Sequence, residues 1–132
     1  MWTVELRGFE IADSLLTSST VMEYGGGVTI TEHTVEPAYG NVFLLLELRI
    51  EKTGEGRAAF SWKDAFIEDS DGNKHYRHTN DTFLTNLGIP RIRGTDIVLG
   101  YEYGFVCFEI PRDATGLRFI ADEGNIVIEV DE

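Results

Sequence analysis

Apolar and polar residues alternate with a period of two along much of this chain. From Val42 the even positions read Val42, Leu44, Leu46, Leu48 and Ile50; the odd positions read Phe43, Leu45, Glu47, Arg49 and Glu51. One side is apolar throughout and the other turns polar halfway. That predicts a long strand with one face in a core and its early half covered on both faces. A helix would also bring Glu47 and Glu51 together, so the period has to recur elsewhere. It does, in Val106, Phe108 and Ile110, where Pro111 ends the run because it offers no N–H to a ladder. Ile126, Ile128 and Val130 repeat it, Val28 and Ile30 lie among threonines that suit a pleated surface, and Phe60 and Trp62 alternate with Ser61 and Lys63. Near the start, Val4 and Leu6 share one parity and Phe9 and Ile11 the other, with Gly8 at the slip. A bulge or bend there is expected, one that lets the strand leave one sheet and join another.

Turn signals separate these runs: Gly25-Gly26-Gly27, Thr53-Gly54-Glu55-Gly56, Ile89-Pro90, Arg93-Gly94, Pro111-Arg112-Asp113 and Asp122-Glu123-Gly124-Asn125. Ser70-Asp71-Gly72-Asn73 reads as a tight hairpin, since Asp-Gly tolerates positive φ. No window reads as a long amphipathic helix; Asp13–Ser19 and Asp81–Gly88 each have room for one helical turn. Without strand–helix alternation, a parallel βαβ architecture is disfavoured. The expected fold is all-β, a two-sheet antiparallel immunoglobulin-like sandwich of eight to ten strands, with a small closed barrel as the alternative. The 132 residues suit a single domain over 1–132.

Composition narrows the function classes. The net charge of −12 argues against nucleic acid or anionic lipid held by a broad basic face. Apolar residues at 42% are too many for a disordered acidic tail. A single cysteine, Cys107, excludes an internal disulfide and a Cys-based zinc site within one chain. The longest unbroken apolar run, Val42–Leu46, is far short of a membrane-spanning helix of about 20 residues. Met1-Trp2-Thr3-Val4-Glu5 has no signal-peptide character. Two settings stay open: the cytoplasm, which suits a lone thiol, or export after removal of an upstream signal.

The order of features resembles a known family. Pro37-Ala38-Tyr39-Gly40-Asn41 precedes the long strand, and Phe66-Ile67-Glu68-Asp69-Ser70-Asp71-Gly72-Asn73-Lys74-His75-Tyr76 forms a hairpin signature. Gly104-Phe105-Val106-Cys107-Phe108-Glu109-Ile110-Pro111 then leads to Leu117-Arg118-Phe119. Together, over roughly residues 27 to 130, they resemble the telokin-like, immunoglobulin-like sandwich domains of unknown function found in bacterial lipoproteins and secreted proteins. The chain departs from that pattern in lacking a lipobox and in carrying Lys52-Thr53-Gly54 where an asparagine often follows the long strand. The resemblance implies an envelope or extracellular binding or structural module and carries no catalytic residues.

Candidate chemistry is sparse. Asp69, Asp71 and Asn73 offer oxygens for calcium. However, the glycine falls fourth, where an EF-hand loop has it sixth, and Asn80 stands where the twelfth-position glutamate belongs, so a hairpin turn is the favoured reading. His75 and His78 form H-x-x-H, but residues three apart on a strand point to opposite faces, so ordinary surface histidines are expected. His33, near Glu32 and Glu36, reads as part of a solvated face. Nothing beside Cys107 lowers a thiol pKa, which makes it a buried or half-buried filler. There is no G-x-S-x-G elbow and no phosphate loop, and no cofactor is expected.

Tyr101, Tyr103 and Phe105 share one strand face, opposite Val106, Phe108 and Ile110. Burial or cover by the chain itself is the favoured expectation for these rings; exposure would make Tyr101 and Tyr103 a partner surface. Arg91 and Arg93 are a close basic pair suited to a carboxylate or an acidic partner, against the plainer reading of a solvated loop. The functional expectation is a non-catalytic module that binds protein or a cell-surface polymer. The alternatives are a cytosolic acidic interaction domain or, less favoured, a carboxylate-based hydrolase. An unpaired edge strand would leave a specific homodimer open.

Overall fold

Strand pairing follows the alternation. The computed structural model describes residues 2–22, 25–52, 59–77, 92, 97 and 100–130, and within 16–22 and 28–33 only the backbone path. Among these residues nine strands form: β1 (Trp2–Ala12), β2 (Leu15–Met22), β3 (Val28–Val35), β4 (Asn41–Lys52), β5 (Phe66–Glu68), β6 (Lys74–Tyr76), β7 (Tyr101–Pro111), β8 (Arg118–Ala121) and β9 (Ile126–Glu129). One sheet has the order β1-β4-β7 and a second the order β6-β5-β8-β9, while β2 and β3 pair as a separate hairpin. Every pairing is antiparallel. The fold is the all-β two-sheet sandwich that the pattern predicts.

The core lies between the sheets. Val42, Leu44, Leu46, Leu48 and Ile50 of β4 join Val106, Phe108 and Ile110 of β7 against Ile67, Phe119 and Ala121 of the second sheet. The Phe108 and Phe119 rings meet edge to face at 6.2 Å, stitching the layers together. On the other side of the three-stranded sheet, Phe43, Leu45 and Cys107 form a small second cluster, capped by Leu15 and Val35 at the base of the β2–β3 hairpin. This explains why the first half of β4 is buried on both faces and the second half on one.

Gly8 marks a bulge. Leu6 pairs with Leu48 and Gly8 with Glu47, so Arg7 is the extra residue. The slip returns Phe9 to the core side, where Val4 and Leu6 already pack. Contrary to expectation, the strand does not change sheets: pairing with β4 resumes and runs to Ala12 opposite Phe43. Two other expectations are corrected. Asp13–Ser19 holds no helical turn, because Leu15 opens β2 and pairs with Val35; β-branched residues on both hairpin strands favour the ladder. Phe60 and Trp62 do not lie in one strand. Phe60 forms a single bridge to Ile97, and Trp62 opens a 3-10 turn over Trp62–Asp64; both rings are buried in contact at 5.2 Å. The Asp-Gly hairpin forms as expected between β5 and β6, with Gly72 at φ +82°. Residues 81–88, the other suggested helical turn, lie outside the described residues.

Candidate functional site: the open half of the three-stranded sheet

The polar half of β4 decides what its outer face presents. Beyond Leu45, the odd positions Glu47, Arg49 and Glu51 lie on the face away from the main core, with Glu47 opposite Phe105 at the margin of the second cluster. Register sets Arg49 between Glu5 of β1 and Tyr103 of β7, and Glu51 between Thr3 and Tyr101. Tyr101 and Tyr103 are therefore not buried, which corrects the expectation: they are 62% and 42% exposed. The rings lie on the face opposite Val106 and Phe108, as their spacing predicts; among the described side chains, those of the hairpin base, Leu15 and Val35, pack on the Phe43, Leu45 and Cys107 cluster beside Phe105.

The rings are held in place all the same. The Arg49 guanidinium lies over Tyr101 at 5.0 Å and is tied to Glu51 by a 2.7 Å ion pair. Arg7, set by the bulge, lies over Tyr103 at 5.8 Å and reaches Glu5 at 3.5 Å. The Tyr103 hydroxyl donates to Glu47 Oε2 at 3.0 Å. That hydrogen bond to a carboxylate raises the Tyr103 pKa above the usual phenol value, helped by desolvation and by the charge of Glu47, so the phenol stays a donor. Exposed pairs of this kind contribute only about 0–1 kcal/mol each to stability. Their effect is geometric: they favour one orientation for two amphipathic rings two residues apart on the same sheet face. Arg7, Glu47 and Arg49 were not singled out from the sequence. Only the slip at Gly8 pointed toward Arg7, and only strand register places the other two beside the tyrosines.

The remaining candidates go elsewhere. Asp69 is buried, and its Oδ1 accepts the backbone N–H groups of Asp71 at 2.9 Å and Asn73 at 3.1 Å. Its Oδ2 meets His75 Nε2 at 2.9 Å. The hydrogen bond from His75, followed by those two amides, holds the Asp69 pKa below the ordinary aspartate value despite desolvation. The carboxylate is thus committed to its own turn, while Asp71 and Asn73 are exposed. Among the described residues, no three His, Cys, Asp or Glu side chains come together as metal ligands do. His75 is not the ordinary surface histidine expected, because its side chain is mostly buried against Asp69. Cys107 is fully buried with Phe43 and Leu45, as a filler should be. Arg91, Arg93 and His78 lie outside the described residues, as does the side chain of His33. No described helix is long and apolar enough to cross a membrane.

No protein-family model matches the sequence, and no curated protein and no solved structure matches it.

Proposed function

We propose that this domain is a non-catalytic binding module, exported to the cell envelope or secreted, that engages a protein partner through the open half of the β1-β4-β7 sheet. The observation that carries the reading is the exposed pair Tyr101 and Tyr103, held by Arg49, Arg7 and Glu47. Tyrosine and arginine are enriched among the residues that carry binding energy at protein interfaces, and rings already oriented by their neighbours lose less entropy on docking. The net charge of −12 selects a partner whose contact surface is basic or neutral and speeds encounter with a basic one. The telokin-like resemblance supports the envelope setting. The cytosolic alternative rests on the absent signal and the free thiol; the complete burial of Cys107 makes that thiol compatible with an oxidising setting as well.

The test is a pull-down from envelope and soluble fractions of the source cell, using wild type and the double variant Tyr101→Ser/Tyr103→Ser. A protein retained by wild type, lost by the variant and released by added salt supports the reading. Identical retention by both proteins overturns it.

A further inference from the structure

The far end of the same sheet carries a second feature that the open face does not use. The β3–β4 loop, Glu36-Pro37-Ala38-Tyr39-Gly40, together with Asp13 at the β1–β2 corner, Asn41 and Arg112 just beyond β7, lines an open, shallow groove of about 410 Å³. That size falls within the span of small-ligand sites, about 300–1,000 Å³. Loop and rim are pinned to each other. The Asn41 N–H donates to the Ala38 carbonyl at 3.0 Å, and the Arg112 N–H to the Gly40 carbonyl at 2.9 Å. Gly40 turns the chain with φ +86°, a conformation that side chains disfavour. Asn41 Nδ2 is oriented by Glu109 Oε2 at 2.8 Å, and the Arg112 guanidinium pairs with Asp13.

Tyr39 projects from this pinned loop wholly uncovered, at 107% of its reference exposure. A free aromatic ring on the rim of a groove lined by carboxylate, guanidinium and carboxamide groups has a specific use. Its apolar face stacks on a C–H surface, and the polar lining bonds groups that both donate and accept. Charge sets the ligand class. An anion would face Asp13 and Glu36, with a single guanidinium already paired; a cation would sit beside Arg112. Neutral hydroxyls donate to the carboxylates and accept from the guanidinium at once. We propose that this groove is a binding site for a neutral saccharide, stacked on Tyr39 and hydrogen-bonded by Asp13, Arg112 and Asn41. The site is separate from the tyrosine pair: along β4, the stretch from Asn41 to Arg49 and Glu51, the register partners of Tyr103 and Tyr101, spans about 26–33 Å at the usual rise of a strand.

The test is an amide NMR titration of the whole chain with N-acetylglucosamine and glucose as neutral probes. Glucuronate is the anionic probe and glucosamine the cationic one, each taken to the same millimolar concentration. The neutral sugars are expected to shift the amides of Asp13, Ala38, Tyr39, Gly40, Asn41 and Arg112 saturably. Tyr39→Ala, on a fully exposed side chain, is expected to keep the remaining spectrum and weaken binding about tenfold. Val127→Ala, at an exposed position on the second sheet, is expected to bind as wild type does. Absence of saturable shifts at these amides, stronger shifts with glucuronate or glucosamine, or undiminished binding by Tyr39→Ala would each overturn the assignment. None of those outcomes bears on the tyrosine pair.

Discussion

Phe108→Ala probes the orientation on which both surfaces depend. Phe108 is 0% exposed, lies on β7 opposite Leu44 and meets Phe119 of the facing sheet edge to face. Removing the ring deletes contacts to both layers and leaves a cavity that a two-sheet core, braced by long strands, closes poorly. Truncations of this kind cost about 3–5 kcal/mol, and the lost aromatic pair places this one in the upper half of that range. For a domain of this size, each kcal/mol corresponds to about 3–5 °C in Tm. The reference is Tyr101→Ala, on the same strand with the opposite parity. There the loss is one exposed cation–π contact, about 0.5–1 kcal/mol. Urea unfolding of the two variants beside wild type, read at constant m-value, gives the comparison. A loss below about 1 kcal/mol for Phe108→Ala, or an equal loss for Tyr101→Ala, would refute the assignment of faces.

Two further outcomes are expected. Asp69→Ala should lower the urea midpoint more than Asp71→Ala, since only Asp69 accepts the turn amides and His75. Because the folded Asp69 pKa lies below its unfolded value, its contribution is fully present above the unfolded carboxylate value of about 3.9 and is lost as pH falls through the folded pKa. The variant should therefore lose less stability than wild type on acidification below pH of about 4, as urea midpoints measured across that range would show. Cys107 should react with a thiol reagent only after denaturation, and Cys107→Ser should cost about 1–3 kcal/mol by placing a hydroxyl among Phe43 and Leu45. Fast labelling of the native protein would contradict its burial.

The sequence was most legible where one physical rule acted alone. Alternation in β4 and β7 identified both core faces, and the polar switch at Glu47 marked where outer cover ends. Gly72 and Pro111 marked a hairpin and a strand end for reasons local to each residue. Legibility failed where a distant partner decides. Leu15 and Leu16 look equally able to begin a helix, and only pairing with β3 makes them strand. The slip at Gly8 announces an irregularity, yet whether the strand then leaves its sheet depends on the ladder that β4 offers. The tyrosine pair posed the same difficulty. Their shared face was readable from spacing, but their exposure depends on how far the hairpin base extends. Their stacking with Arg7 and Arg49 depends on register across three strands. The groove at Tyr39 draws on three separate corners of the chain and left no local signal beyond an isolated aromatic residue in a loop.

The central claim is that the face bearing Tyr101 and Tyr103 is where a partner docks. The most direct measurement places a photo-crosslinking p-benzoylphenylalanine at position 101, and separately at the exposed position of Val127 on the second sheet, in the protein expressed in its own cell. The account predicts one discrete crosslinked protein from position 101, absent from position 127 and suppressed when Tyr103 is also changed to serine. Equal crosslinking from both positions, or none from position 101, would contradict it.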